Sequence, residues 1–315
     1  MIVSASRRTD IPSYYSDWFF NRIKEGYVLV RNPMNFHQVS KISLSKDIVD
    51  GIVFWTKNPI PMLERLDEIK DHPYYFQFTL NAYGKDVEPN VPSKSEYIIP
   101  AFRSLSRKIG KERVVWRYDP IFFNDVYTME YHCKYFEALV NQLHNYTDQC
   151  TVSFIDYYKK TQRNTKPLHI LEMSLEEKFE LMERFSFIAA KYGLPINTCA
   201  EQIDLSKFGI THAHCIDKKR LERIGGFPLN IEKDKNQRLE CGCMASVDIG
   251  MYHTCKNGCL YCYANFNEKT VCDNFARHDK KSPLLYGELT SNACARRCSG
   301  TTCCCSAAGL FAPCC

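Results

Sequence analysis

With 315 residues, 45% of them apolar and 24% charged, the chain can build a large core without covalent staples, which excludes general disorder. Its 41 basic and 36 acidic side chains leave a net charge of only +5, too small and too scattered to argue for nucleic acid by itself. There is no run of about 18 apolar residues to cross a bilayer, and the first residues lack the charged-then-apolar order of a secretory signal, so a cytoplasmic protein with no membrane partner is expected.

From residue 1 to about 217, short β-branched or aromatic runs alternate with stretches of helical period, the pattern of a parallel sheet with crossover helices. A strand is expected at Ile2 to Ala5, then a helix from Tyr14 to Lys24 that Gly26 stops. Strands at Val28 to Arg31 and Gly51 to Trp55 follow, then a helix at Pro61 to Ile69 and a strand at Tyr74 to Leu80. Pro89, Pro92 and Ser93 mark a loop before a helix at Ile98 to Ile109, which ends at Gly110. Next come a strand at Arg113 to Arg117, a helix at Thr128 to His144 and a strand at Cys150 to Ile155. Ser174 and Glu177 form a capping-box signal, followed by Phe179, Met182, Phe185 and Ala189 at helical spacing until Gly193 and Pro195. Strands at Leu194 to Thr198 and Thr211 to Cys215 complete eight candidates. They suit an α/β fold of the TIM-like (β/α) barrel kind, complete or partial, over residues 1–225. Gly225, Gly226 and Pro228 mark a break before a cysteine-rich, cluster-binding loop region, 226–290. The tail 291–315 has seven cysteines and no periodicity, so it cannot build a core of its own.

In a parallel α/β barrel the chemistry gathers at the carboxyl ends of the strands, and polar residues there imply a pocket. Those ends carry Arg7, Arg8, Thr9 and Asp10; Arg31 and Asn32; Thr56, Lys57 and Asn58; Thr79 and Asn81; Arg117, Tyr118 and Asp119; Asp156 and Tyr157; and Glu201 with Gln202. Arg117-Tyr-Asp119-Pro and Trp55-Thr-Lys57-Asn58 place a charge directly after an apolar strand, where it must emerge at the rim. Arg117, Asp119, Lys57 and Arg8 are therefore the candidate catalytic residues, with Arg7 and Asn58 as candidate cofactor contacts. Arg7 and Arg8 can each grip a phosphate or a carboxylate through bidentate hydrogen bonds, which leaves the substrate class open.

Thirteen of the seventeen cysteines fall after residue 240, and none precedes residue 133. In a large chain without an export signal such clustering points to metal. Cys255-Lys-Asn-Gly-Cys259-Leu-Tyr-Cys262 offers three thiolates within eight residues, enough to wrap three corners of a [4Fe-4S] cubane when Gly258 supplies a tight turn. A zinc site built from Cys241, Cys243, Cys259 and Cys262 is the alternative. Cys133, Cys150, Cys199 and Cys215 sit in or beside core-forming runs and read as buried apolar residues.

The C-x3-C-x2-C spacing resembles the motif of radical S-adenosylmethionine enzymes. That resemblance implies Cys255, Cys259 and Cys262 as iron ligands, with the fourth iron open to S-adenosylmethionine and Tyr261 near the adenine. An electron from the cluster would then release a deoxyadenosyl radical that takes hydrogen from a substrate. In that superfamily the cysteines follow the first strand, whereas here they follow the last. Ser4-Ala-Ser-Arg-Arg-Thr-Asp10-Ile-Pro, Val30-Arg-Asn-Pro33, Phe54-Trp-Thr-Lys-Asn-Pro59, Phe76-Gln-Phe-Thr-Leu80, Trp116-Arg-Tyr-Asp-Pro120 and Cys241-Gly-Cys243 with Asp248-Ile-Gly-Met-Tyr252 resemble the bacterial domain-of-unknown-function 1848 family over roughly residues 1–290. The expectation is an enzyme with a small-molecule or macromolecular substrate and an electron donor. Two other readings stay open. One is an electron carrier whose fourth thiolate comes from Cys241 or Cys243. The other is a metal module that binds nucleic acid through Lys159, Lys160, Arg163 and Lys166 or through Lys218, Lys219, Arg220 and Arg223.

Overall fold

The computed structural model describes residues 1–156, 159–238 and 240–289, with the backbone of a two-residue strand at Cys294–Ala295. Tyr157 and the rest of the tail 291–315 lie outside the described residues. In chain order the strands are β1 (Ile2–Ala5), β2 (Tyr27–Arg31), β3 (Gln38–Ser43), β4 (Gly51–Thr56), β5 (Tyr74–Thr79), β6 (Val114–Ile121), β7 (Cys150–Phe154), β8 (Ile196–Thr198), β9 (Thr211–His212), β10 (Val247–Asp248) and β11 (Cys294–Ala295). The α-helices are α1 (Ile11–Tyr14), α2 (Ser16–Glu25), α3 (Ile60–Leu63), α4 (Ile99–Ile109), α5 (Met129–Leu143), α6 (Lys159–Thr165), α7 (Leu175–Ala190), α8 (Lys218–Gly225) and α9 (Glu268–Ala276).

Eight strands form one parallel sheet in the order β10-β1-β4-β5-β6-β7-β8-β9, so all their carboxyl ends share one rim. The architecture is mixed α/β with a large parallel sheet. One expectation is corrected by this order. The strand expected at Val28 to Arg31 leaves the parallel sheet: as β2 it pairs antiparallel with β3 in a separate three-stranded sheet with β11. The link between β2 and β3 is too short to hold the crossover that a parallel pair needs, and it closes as a hairpin through the Asn32 N–H to the Gln38 carbonyl at 2.9 Å. The vacated place in the parallel sheet goes to β10, two residues long, which pairs with β1. The expected helix at Pro61 to Ile69 divides into α3 and a separate 3-10 turn, Leu66–Ile69.

Both faces of the sheet are buried, so its central strands read as nearly continuous apolar runs. On one face Val3, Ile52, Phe54, Phe76, Val114 and Trp116 join the main core beneath the helices. Phe54 stacks on Phe76 at 4.7 Å, and Phe136 of α5 on Phe185 of α7 at 3.9 Å. The Ser174–Glu177 capping box opens α7 as its sequence predicts. On the other face Ile2, Val53, Tyr75 and Val115 pack against residues from the chain after β8, including Cys215, Leu221, Cys241 and Cys243. The chain beyond residue 225 is thus woven into the sheet at β10 and also against α2, where Trp18 Nε1 donates to the Ser282 carbonyl at 2.9 Å. Among the described residues no helix is long and apolar enough to cross a membrane.

Candidate functional site

Because β10 lies beside β1, the chain leaving β10 emerges at the carboxyl rim next to the residues that follow β1. Asp248 joins the two turns, accepting from Ser4 Oγ at 2.8 Å, Ser6 Oγ at 2.5 Å and the Arg7 N–H at 2.8 Å. The loop 255–262 then lies on the segment after β5. The Leu260 N–H donates to the Val87 carbonyl at 3.0 Å, and the Asn90 side chain to the Lys256 carbonyl at 2.8 Å. Gly258 makes the expected turn at φ +69°, where a Cβ would meet Asn90 Nδ2 at 2.9 Å.

Buried Asn257 fastens this loop to the rim. Its Nδ2 donates to Asp10 Oδ2 at 3.1 Å, its Oδ1 accepts from Tyr14 at 2.9 Å, and its backbone N–H favours the ionised form of the Cys255 thiol. Asp10 also accepts from Thr56 Oγ1 and the Lys57 N–H, both at 2.8 Å, and from the Ser13 N–H at 3.0 Å. Burial pushes its carboxyl up against the pull of these bonds. One carboxylate therefore links the ends of β1 and β4 to the cysteine loop.

Cys255, Cys259 and Cys262 are half-buried free thiols. The Cys262 sulfur accepts the Ala264 N–H at 3.3 Å. Burial, then Asp10 and the other two sulfurs, push the Cys255 thiol up. Burial pushes Cys259 up to about 12, although the Lys57 ammonium acts in the opposite sense. The three sulfurs repel one another's negative charge, which a cation among them would relieve, and N–H donors directed at sulfur suit a metal-bound thiolate. The donor set thus fits an iron-sulfur cluster. Among the described residues no three His, Cys, Asp or Glu side chains stand, as placed, at the spacing that would hold a single metal ion.

Beside Cys259 lies a buried ionic group. Glu88, 2% exposed, takes Lys57 Nζ at 2.8 Å on one oxygen and Lys94 Nζ at 2.7 Å on the other, and it also accepts from the Tyr261 hydroxyl. Burial works against the charge of Glu88, but the two ammonium groups outweigh it and hold the carboxyl at about 2. Asn81 connects the group to its surroundings, donating to the Asp119 carbonyl at 3.2 Å and accepting from Lys94 at 3.2 Å.

The expected residues divide between this rim group and a second place. Lys57 and Tyr261 meet at Glu88 near Cys259, with Lys57 also 5.4 Å from the Tyr261 ring centroid. Asn58 is a turn residue: its Oδ1 accepts the Ile60 N–H at 3.2 Å. Arg8 lies 5.3 Å over Tyr252. Arg117 grips Asp119 at 2.7 and 3.1 Å but turns Nη1 to the Cys215 sulfur at 3.0 Å. Arg7 lies over Trp55 at 5.3 Å, with its charge beside Cys243 and Cys215. Cys199 and Cys215, expected as plain core residues, touch each other at 2.9 Å between sulfurs and group with Cys241 and Cys243 rather than leaving that pair to Cys259 and Cys262.

Sequence reasoning missed Glu88, Lys94 and Asn257. Glu88 lies in a polar, proline-bounded stretch that reads as exposed loop and becomes buried only when the loop 255–262 covers it. The basic run Lys218 to Arg223 is largely paired within the molecule. Arg220, 4% exposed, holds Asp148 at 2.9 Å and Gln149 at 2.8 Å, while Arg223 holds the same Asp148 at 2.9 Å.

No curated protein matches the chain. Among solved structures, a protein of Bacteroides thetaiotaomicron VPI-5482 given provisionally as an alpha-L-fucosidase is similar over 67% of this chain and 79% of its own. The identity is 11% and the TM-score 0.26, too low to carry an argument. The family described as domain of unknown function DUF1848 matches residues 2–264, and the chain belongs to it.

Proposed function

We propose that this protein is a radical-SAM-like iron-sulfur enzyme in which Cys255, Cys259 and Cys262 hold a [4Fe-4S] cluster with one iron open to S-adenosylmethionine. The observation that carries the reading is the separation of the cysteines. Cys241 and Cys243, the pair able to supply a fourth thiolate, are engaged with Cys215 on the sheet's other buried face, so the motif is left with three sulfurs at the rim. The same separation weighs against the electron-carrier reading, which needs that fourth thiolate.

When bound, the cluster supplies the electron that splits S-adenosylmethionine. The chain's own residues hold and shape the site. Asn257 and Asp10 fix the loop to β1 and β4. Lys57 keeps a positive charge beside Cys259, because Glu88 pushes its ammonium group up against the effect of burial. Tyr261, held by Glu88 and Asn81, presents its ring between Lys57 and Tyr83. Within this reading the parallel sheet is the wall of a barrel. That closure is supported by the Met244 N–H donating to the Ile216 carbonyl at 3.1 Å, which ties the chain after β9 to the chain before β10. The enzyme works in the reducing cytoplasm with a separate electron donor, and its substrate approaches the rim.

The test is anaerobic reconstitution with iron and sulfide, with a spin-resonance spectrum of the reduced protein before and after S-adenosylmethionine and an assay for deoxyadenosine. The reading predicts a cluster signal that the cofactor alters and deoxyadenosine formed only with reductant. A protein that builds no cluster, or one whose spectrum ignores the cofactor, refutes it.

A further inference from the structure

We propose that Cys199, Cys215, Cys241 and Cys243 form a second metal centre, a four-thiolate site for one zinc ion that ties the segments beside β8 and β9 to the segment before β10. This site is separate from the rim cysteines and does not depend on their function.

The four sulfurs form one continuous group. Cys199 Sγ and Cys215 Sγ are 2.9 Å apart, and the Cys243 thiol neighbours those of Cys215 and Cys241, each of which acts on it. They come from three separate places: directly after β8, three residues beyond β9, and the Cys-Gly-Cys turn ahead of β10. Cys215, Cys241 and Cys243 are buried against Ile2, Val53, Tyr75 and Val115, and all four remain free thiols. Donors point at the sulfurs from several sides. The Ile216 N–H reaches Cys243 Sγ at 3.4 Å, the Cys243 N–H reaches the Cys241 sulfur, and Arg117 Nη1 reaches Cys215 Sγ at 3.0 Å. Arg7 adds a second guanidinium beside Cys243 and Cys215, and its Nη2 is buried with no hydrogen-bond partner. Four thiolates around a divalent ion carry a net double negative charge, and two arginines are the surroundings that such a charge requires when buried.

Local backbone is committed to this arrangement. Gly242 passes so close to the His214 ring that a Cβ there would overlap it, and Ala200, next to Cys199, adopts φ +53°. The spacing selects the occupant. A cubane spreads its thiolates widely, whereas the Cys199 and Cys215 sulfurs are in contact, which suits a mononuclear ion. As they stand the four side chains do not enclose an ion; with Zn–S bonds of about 2.3 Å the sulfurs of a tetrahedron stand about 3.8 Å apart, so Cys199 and Cys215 must part by about 1 Å to admit it. The need for such a tie is visible in the ladder: β8 has three residues and β9 two at one edge of the sheet, and β10 has two at the other, too few hydrogen bonds to secure these edges alone. A shared ion replaces the missing ladder with bonds to three segments.

The test uses the full chain with Cys255, Cys259 and Cys262 all replaced by alanine, so that the rim cannot hold metal and failure of the rim reading leaves the result untouched. Elemental analysis is expected to give one zinc per chain, with four sulfur ligands at about 2.3 Å by X-ray absorption. Adding Cys241→Ser and Cys243→Ser should remove the zinc. Should that variant fail to fold, cobalt exchanged into the folded parent should give the strong visible and sulfur-to-cobalt charge-transfer absorption of a tetrahedral four-thiolate site. Zinc retained after both serine substitutions, nitrogen or oxygen ligands in the absorption spectrum, or a metal-free protein with Cys199 and Cys215 joined as a disulfide overturns the proposal.

Discussion

The two sulfur groups use the same residue type in opposite ways. At the rim, Cys255, Cys259 and Cys262 are half-buried within one eight-residue loop, held by Asn257 and bordered by the Glu88 ion group. On the sheet's second buried face, Cys215, Cys241 and Cys243 are inside, with Cys199 in contact, and they are gathered from segments far apart in sequence. In the proposed readings, a loop that supplies its own ligands can leave one side accessible to a cofactor, whereas ligands gathered from three segments would cross-link the fold and have no need of access.

The largest expected effect tests whether the rim group is structurally distinct. Glu88→Gln leaves Lys57 and Lys94 without their shared counter-charge, which should cost about 3–5 kcal/mol, read as a lower denaturant midpoint at unchanged slope. Iron uptake should fall with it while zinc stays; loss of both metals from the folded variant would break the comparison.

A titration that belongs to neither group provides a baseline. His132 is buried between the Tyr118 hydroxyl and the Phe122 carbonyl, each at 2.9 Å, and burial pushes it down to about 4 from an ordinary 6.5. Between those values the unfolded chain binds the extra proton, so this contribution is complete above pH 6.5 and is lost as pH falls toward 4. It amounts to about 3 kcal/mol. In His132→Gln that part of the acid slope should disappear; an unchanged slope between pH 6.5 and 4 would show that His132 is not its source, since the Glu88 group loses its contribution only from about pH 4.5 down toward 2.

Smaller effects test independence. Asn257→Ala strips Asp10 and Tyr14 of a partner and should cost about 1–3 kcal/mol. Gly242→Ala crowds His214 and should cost a similar amount, about 1–3 kcal/mol, with zinc bound less tightly. In the double variant the two losses should add to within about 0.5 kcal/mol, and a larger mismatch would show that the sulfur groups are coupled.

Much of the scaffold was legible from period and punctuation. The long helices α4, α5 and α7 and the strands β1, β4, β5, β6 and β7 lie where alternation and capping place them. β2 was misassigned because an apolar run carries no information about its partner, and only the short link to β3 decides it. β10 was missed because two residues give no periodicity. At the site, Lys57 and Tyr261 were legible from strand ends and motif spacing, whereas Glu88 looks in sequence like any loop acid.

By itself the sequence determined the α/β class, the main helices and strands, and the rim loop with its three cysteines, because periodicity, caps and ligand spacing are short-range signals carried by neighbouring residues. Only the tertiary structure decided that Cys199 and Cys215 join Cys241 and Cys243, that Arg117 and Arg7 turn toward them, and that Glu88 becomes the buried anion between two lysines. Apart from Glu88 with nearby Lys94, those contacts join residues from 16 to more than 200 positions apart, brought together when strand order sets which loops meet, a pairing that no local pattern encodes.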